Sequence, residues 1–235
     1  MATTNDSPNP TARKVFMFDI DNCLYSKSIR IHDRMASLID AYFRTHLPVA
    51  PNVATRLHQR YYRDYGLALE GLVRHHQIDP LAYNAAVDDA LPLEELIAPD
   101  PRLRRLIESI DRRNVRLWLF TNAYVHHARR VVRLLGVDDL FDGITYCDYA
   151  SPPLLCKPAP AMYAKAMREA CVTDCRDVYF VDDSALNAKA GKLFGWRTAH
   201  LVEPCEVAPP EPVADYQIES LYELPSIFGE LFKKP

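Results

Sequence analysis

What most limits the folds open to this chain is the regular alternation of its second half. Residues 115–120, 144–147, 178–181 and 198–202 are short apolar runs rich in β-branched and aromatic side chains, the pattern of strands buried on both faces. Between them, residues 123–135, 161–170 and 184–194 carry apolar positions at helical spacing, and Gly136 and Gly195 stand where the first and last of these helices should stop. Strand and helix in turn predict an α/β fold, a parallel sheet with helices on both faces. Residues 15–18, Val-Phe-Met-Phe, supply one further strand far upstream. A loop over 204–212 and a short edge element plus helix over 216–232 complete the pattern.

No strand pattern lies between residues 26 and 110. Ile31, Met35, Leu38, Ile39, Tyr42 and Phe43 predict a helix over 31–46, ended by Pro48 and Pro51. A second runs from Asn52, read as its N-cap, to Tyr65, with Gly66 as its stop, and a third covers 67–76. Asp79-Pro80 and Asp100-Pro101 are each a cap followed by proline at the first helical position; they open helices through Val87 and toward Ile110. An all-helical block after the first strand reads as an insertion that covers the carboxyl ends of the strands. The predicted organisation is a disordered tail over 1–12, an α/β core over 13–26 and 99–235, and a small helical cap over 27–98.

With 235 residues, 49% of them apolar, the chain can bury a core and support such an insert. Its apolar runs fall far short of the ~20 residues of a bilayer span, and the first residues lack the apolar stretch of a secretory signal. A cytoplasmic location with no membrane partner is the expectation. A net charge of −3 gives no reason to expect nucleic acid, and no obligate protein partner is evident. Arg102, Arg104, Arg105, Arg129, Arg130 and Arg133 read as solvated helix faces. Six scattered cysteines without metal or redox spacing read as buried reduced thiols.

Ligands of open α/β sheets bind beyond the carboxyl ends of the strands, so the residues at those ends carry the functional signal. Asp19 and Asp21 follow the first strand, one residue apart. Two carboxylates that close repel unless a cation lies between them or one stays protonated. Thr121 and Asn122 follow the second strand, a hydroxyl and helix-start amides that suit an anion. Lys157 sits in a loop stiffened by Pro158 and Pro160, and Asp182, Asp183 and Ser184 follow a fourth run. Acids, hydroxyl, amide and one cation at four strand ends make the inventory a phosphate monoester needs. Mg²⁺ suits such oxygen donors better than zinc.

These residues resemble the haloacid dehalogenase superfamily of phosphohydrolases. Asp-Ile-Asp-Asn-Cys-Leu-Tyr at 19–25 is similar to its first motif, residues 119–122 to its second, Lys157-Pro158 to its third and residues 180–184 to its fourth, in the family's order. The resemblance implies a Rossmann-like core, with Asp19 as the nucleophile that becomes an aspartyl-phosphate and Asp21 as general acid and then base. It implies that Thr121, Asn122 and Lys157 hold the phosphoryl group. Mg²⁺ would be held by the Asp19 carboxylate, the Asp21 main-chain carbonyl and Asp183, with Asp182 direct or one water away. An acid at Asp21 must hold a proton during the cycle, so a raised pKa is expected there.

Cys23, where the wider family more often has threonine or valine, and the small cap resemble the branch of pyrimidine 5′-nucleotidases and related nucleoside-monophosphate phosphatases. Tyr61, Arg63, Tyr65 and His75 are the cap's candidates for contacting a base or sugar, against the plainer reading that its tyrosines only pack its core. The predicted function is Mg²⁺-dependent hydrolysis of a nucleoside 5′-monophosphate. The rivals are a phosphatase for another small phosphomonoester, such as a sugar phosphate or lysophosphatidate, and, from other classes, a phospho-acceptor module or an inactive binding protein.

Overall fold

A computed structural model describes residues 14–204 and 206–234. The expected tail over 1–12 and Cys205 lie outside the described residues. Six strands, β1 (Lys14–Phe18), β2 (Val115–Phe120), β3 (Gly143–Thr145), β4 (Val178–Asp182), β5 (Arg197–Leu201) and β6 (Tyr216–Ile218), form one parallel sheet in the order β3-β2-β1-β4-β5-β6. That order reverses beside β1, the crevice where open α/β sheets bind ligands.

Four helices follow β1: α1 (Ile31–His46), α2 (Pro51–Tyr65), α3 (Ala68–His75) and α4 (Pro80–Ala86). The chain then returns through α5 (Leu93–Leu96) and alternates through α6 (Pro101–Glu108), α7 (Val125–Leu135), α8 (Pro160–Glu169), α9 (Ala185–Phe194) and α10 (Leu224–Ile227). Asp79 and Asp100 cap α4 and α6 as their sequence suggests, each accepting from a main-chain amide two residues on.

Several boundaries differ for local reasons. Pro51 does not close α1 but opens α2, with Ala50 rather than Asn52 at the N-cap, because proline's fixed φ and missing N–H cost nothing in a first turn. Helix α7 starts at Val125, two residues later than expected, because the Thr121 hydroxyl takes the Ala123 amide and turns the chain first. Strand β3 ends at Thr145, and Cys147 leaves the sheet for another cluster. The four-residue α5 is too short to show a period.

Alternation along β1 feeds two cores. Phe16 and Phe18 pack on one face with Leu103, Ile107, Val131 and Phe228, while Val15 and Met17 meet Phe120, Met162, Tyr163 and Trp196 on the other. A third cluster joins Tyr42, Phe43, Tyr61, Leu69, Leu72 and Tyr83 of α1–α4 to Cys147, Tyr149, Leu154 and Cys156 of the segment between β3 and α8. The inserted helices are thus packed onto that segment. Not every cysteine is buried: Cys23, Cys147 and Cys156 are, whereas Cys171 is exposed and Cys175 half-buried. On the predicted solvated faces two arginines make surface ion pairs, Arg104 with Asp139 through two nitrogens and Arg130 with Glu94 of α5. No helix among the described residues is long and apolar enough to cross a membrane.

Candidate active site

The acids that flank the first and fourth strands meet at the crevice beside β1. Phe18 pairs with Val181, and the Asp19 amide donates to the Val181 carbonyl at 3.0 Å, so Asp19 and Asp182 leave adjacent strands almost level. Carboxylate oxygens of Asp19, Asp182 and Asp183 lie within 4.8 Å of one another. Lys157 reaches between two of them. Its ammonium, 1% exposed, donates to Asp19 Oδ1 at 2.6 Å, Asp182 Oδ2 at 2.7 Å and the Phe120 carbonyl at 2.7 Å.

Those three bonds use every hydrogen the ammonium has. Lys157 therefore holds Asp19 in place, and its charge is felt by anything bound there. Asp182 is similarly occupied: Oδ1 accepts from the Ser184 amide at 2.7 Å, and Asn187 Nδ2 lies 3.2 Å from both oxygens. Asp183 faces a second cation, Lys27 Nζ at 2.9 Å, and its carbonyl meets His200 Nε2 at 3.1 Å.

Three clustered carboxylates with no nitrogen or sulfur ligand are the donor set of a hard divalent cation, and the residues present fit Mg²⁺. The charge balance agrees. Burial pushes the Asp19 carboxyl well above its ordinary range; Lys157 opposes this, while Asp182 and Asp183 add to it. Burial and Asp182 push Asp183 up to about 6 despite Lys27. Burial works against the Lys157 charge, but Asp182 and Asp19 more than restore it. Cys23, 3% exposed beside these acids, is held as a neutral thiol by burial and by their charge, which removes it as a nucleophile.

Asp21 departs from expectation. Burial favours its neutral form, yet His127 and then Tyr25 outweigh burial and hold the carboxyl below its usual range rather than above it. Both donate to the same oxygen, His127 Nε2 at 2.8 Å and Tyr25 OH at 2.8 Å from Oδ1. His127 is 1% exposed; burial lowers its pKa, but Asp21 overrides this and lifts it to about 9.

Thr121, buried at the end of β2, accepts from the Ala123 amide at 3.0 Å and keeps its hydroxyl hydrogen for another acceptor. Asn122 uses its side chain differently from the expected phosphate contact. Its Oδ1 accepts from the Lys157 amide at 2.7 Å, and its Nδ2 donates to the Lys157 carbonyl at 2.8 Å, so it fixes the lysine loop.

Of the cap residues, Tyr61 is buried, stacks on His75 and bonds to His76, over Gly71, where any Cβ would strike its ring. Arg63 lies on the exposed surface against Asp64, and Tyr65 and His75 bond to each other at 2.7 Å. On the same helix Tyr62 is 48% exposed, and burial first, then the charges of Asp183, Asp182 and Asp19, push its phenol up. Tyr62, His127, Lys27 and His200 escaped sequence reasoning because the groups they face lie far along the chain, and Asn187, five residues after Asp182, because only the helix turn that follows β4 brings the two together. Tyr25, four residues after Asp21, was also within reach of a local reading.

A model of the family described as haloacid dehalogenase-like hydrolase matches residues 13–195. The chain belongs to that family. Its curated relative phosphate metabolism protein 8 of Saccharomyces cerevisiae is 39% identical over 222 residues, which cover 91% of this chain and 65% of the yeast protein. The chain thus spans about two thirds of that relative's length. Among solved structures, YfnB from Bacillus subtilis, crystallised bound to magnesium, has a TM-score of 0.63 at 17% identity, covering 92% of this chain and 98% of that one. A HAD phosphatase from Thermococcus onnurineus has a TM-score of 0.59 at 19% identity, covering 92% and 98%. At such identities the two structures speak to the haloacid dehalogenase fold alone.

Proposed function

We propose that this hydrolase is a Mg²⁺-dependent phosphomonoesterase that works through phosphorylated Asp19 on nucleoside 5′-monophosphates, in the manner of a pyrimidine 5′-nucleotidase. The observation that carries the reading is the pairing of two differently held acids: Asp19, fixed by Lys157, and Asp21, fixed by His127 and Tyr25. An Asp19 oxygen attacks phosphorus as the bond to the ester oxygen breaks, and Asp21 gives that oxygen a proton. Water then attacks the acyl phosphate, losing a proton to Asp21, and free Asp19 and inorganic phosphate return. Thr121 and the Asn122 main chain would hold phosphoryl oxygens. Asp19, Asp183 and the Asp21 carbonyl would hold Mg²⁺, with Asp182 beside them. Bound Mg²⁺ would offset negative charge on the phosphoryl group.

The family match and the yeast relative's name support the chemistry. A nucleotide is favoured by Tyr62, whose half-exposed ring feels the charge of Asp183, Asp182 and Asp19 and could stack on a base. The test is phosphate release from a panel of 5′-mononucleotides, sugar phosphates and lysophosphatidate, with and without Mg²⁺, on wild type and Asp19→Asn. Turnover of mononucleotides that needs Mg²⁺ and falls to background in Asp19→Asn is expected. Full activity in Asp19→Asn would remove the phosphoryl-enzyme, and preference for the other esters would remove the nucleotide.

A further inference from the structure

Two donors converge on one oxygen of Asp21, one local and one distant along the chain. Tyr25 comes from the loop that Asp21 itself opens, and His127 from the first turn of α7, 106 residues on. Among the described residues no donor reaches Oδ2, and the Asp21 side chain keeps 23% of its surface open. A carboxyl anchored through one oxygen can no longer rotate freely, and its other oxygen is presented to whatever fills the crevice.

His127 is an expensive way to fill that space. It is 1% exposed and its Nδ1 is buried without a partner, where an apolar side chain would leave nothing unsatisfied. We propose that His127 and Tyr25 are positioning residues that lock the Asp21 carboxyl in one orientation, with Oδ2 as the oxygen that hands a proton to the departing ester oxygen. This rests on the reading of Asp21 as the acid. In the first step the phosphorus–ester oxygen bond breaks as the phosphorus–Asp19 bond forms, and the proton moves from Oδ2 to the leaving oxygen. Neither His127 nor Tyr25 touches substrate; each acts through Asp21.

The test uses leaving groups that differ only in their need for a proton. Release of phenol from phenyl phosphate and of p-nitrophenol from p-nitrophenyl phosphate is followed in single turnovers with enzyme in excess. Phenolate is the poorer leaving group, so a misdirected acid hurts phenyl phosphate more. His127→Ala should slow phenyl phosphate at least about tenfold more than p-nitrophenyl phosphate, within the range general acids supply. His127→Gln, which can place an amide N–H near the former Nε2, should recover part of the difference.

Tyr25→Phe removes a single hydroxyl and should show the same selectivity to a smaller degree, a readout that stands even if His127→Ala does not fold. Equal slowing of both esters in His127→Ala and Tyr25→Phe, or no slowing, would overturn the proposal. Asp21→Asn separates the two levels. If it shows the selectivity and the other variants do not, only the positioning role fails; if it shows none, the acid role of Asp21 falls first.

Discussion

Lys157 is the residue on which the charge balance of the crevice depends. Its ammonium is 1% exposed and satisfies two carboxylates and a carbonyl at once. Lys157→Met keeps the volume but leaves two buried acids facing each other without a counter-ion. Breaking a buried pair in this way costs about 3–5 kcal/mol. Urea denaturation at neutral pH should show a loss of that order, with turnover at background. Asp88 is the opposite case. It is 4% exposed with Oδ2 unpartnered, and burial pushes it up to about 6, with His127 opposing and Asp21 and Asp89 adding. A carboxyl whose folded pKa lies above its unfolded value weakens the fold at pH above both, and the penalty fades as pH falls from about 6 toward 4. Asp88→Asn should therefore be more stable than wild type at pH 7.5 by roughly 1–3 kcal/mol, because each tenfold rise in the proton affinity of the folded carboxyl costs its charged form about 1.4 kcal/mol. Denaturation at pH 7.5 and pH 4 checks the sign: the advantage must shrink in acid.

At the scale of elements, the end of α2 and the lysine loop are one joint. Gly66 adopts φ +77°, and a Cβ there would lie 2.5 Å from the Lys157 carbonyl oxygen and 2.6 Å from Pro158 Cδ. The Cys156 thiol also lies 3.6 Å from the Tyr65 carbonyl. Gly66→Ala adds backbone strain to a clash with the lysine loop, so it should cost more than about 1 kcal/mol and lower turnover as well. Gly229→Ala, where nothing lies within 4 Å, is the control and should change little in either measurement. This joint shows what was legible. Gly66 was readable as a helix stop because the requirement is local. That its missing Cβ also makes room for Lys157 was not, since the two lie far apart along the chain. The long amphipathic α1 and the Asp-Pro starts of α4 and α6 were equally plain, each fixed by spacing or by a cap within a few residues. Which face of α2 turns inward was not legible either: adjacent helix positions differ by about 100° in direction, and only the docking of α2 decides that Tyr61 is buried and Tyr62 half-exposed.

Across the whole molecule, the sheet order brings Asp19 beside Asp182 and Asp183, and one divalent cation held between them would tie β1 to β4. Ligand binding to the folded state alone stabilises it by about 2.7 kcal/mol at a hundredfold excess over Kd. For a chain of this size that corresponds to a rise in Tm of about 5–10 °C. Scanning calorimetry with added Mg²⁺ should show such a rise in wild type and none in Asp183→Asn, and an equal rise in both would place the ion elsewhere. The sequence by itself determined the alternation of strand and helix, the helical insert and the kinds of side chain at four strand ends. Burial periodicity and caps are local properties, written within a turn or two of the chain. Tertiary structure alone decided which groups those side chains meet: Lys157 spending its donors on Asp19, Asp182 and Phe120, Asn122 holding the lysine loop, and His127 drawing Asp21 below rather than above its ordinary pKa. Partners separated by tens of residues are chosen by strand register and helix docking, and no window of sequence contains both members of such a pair.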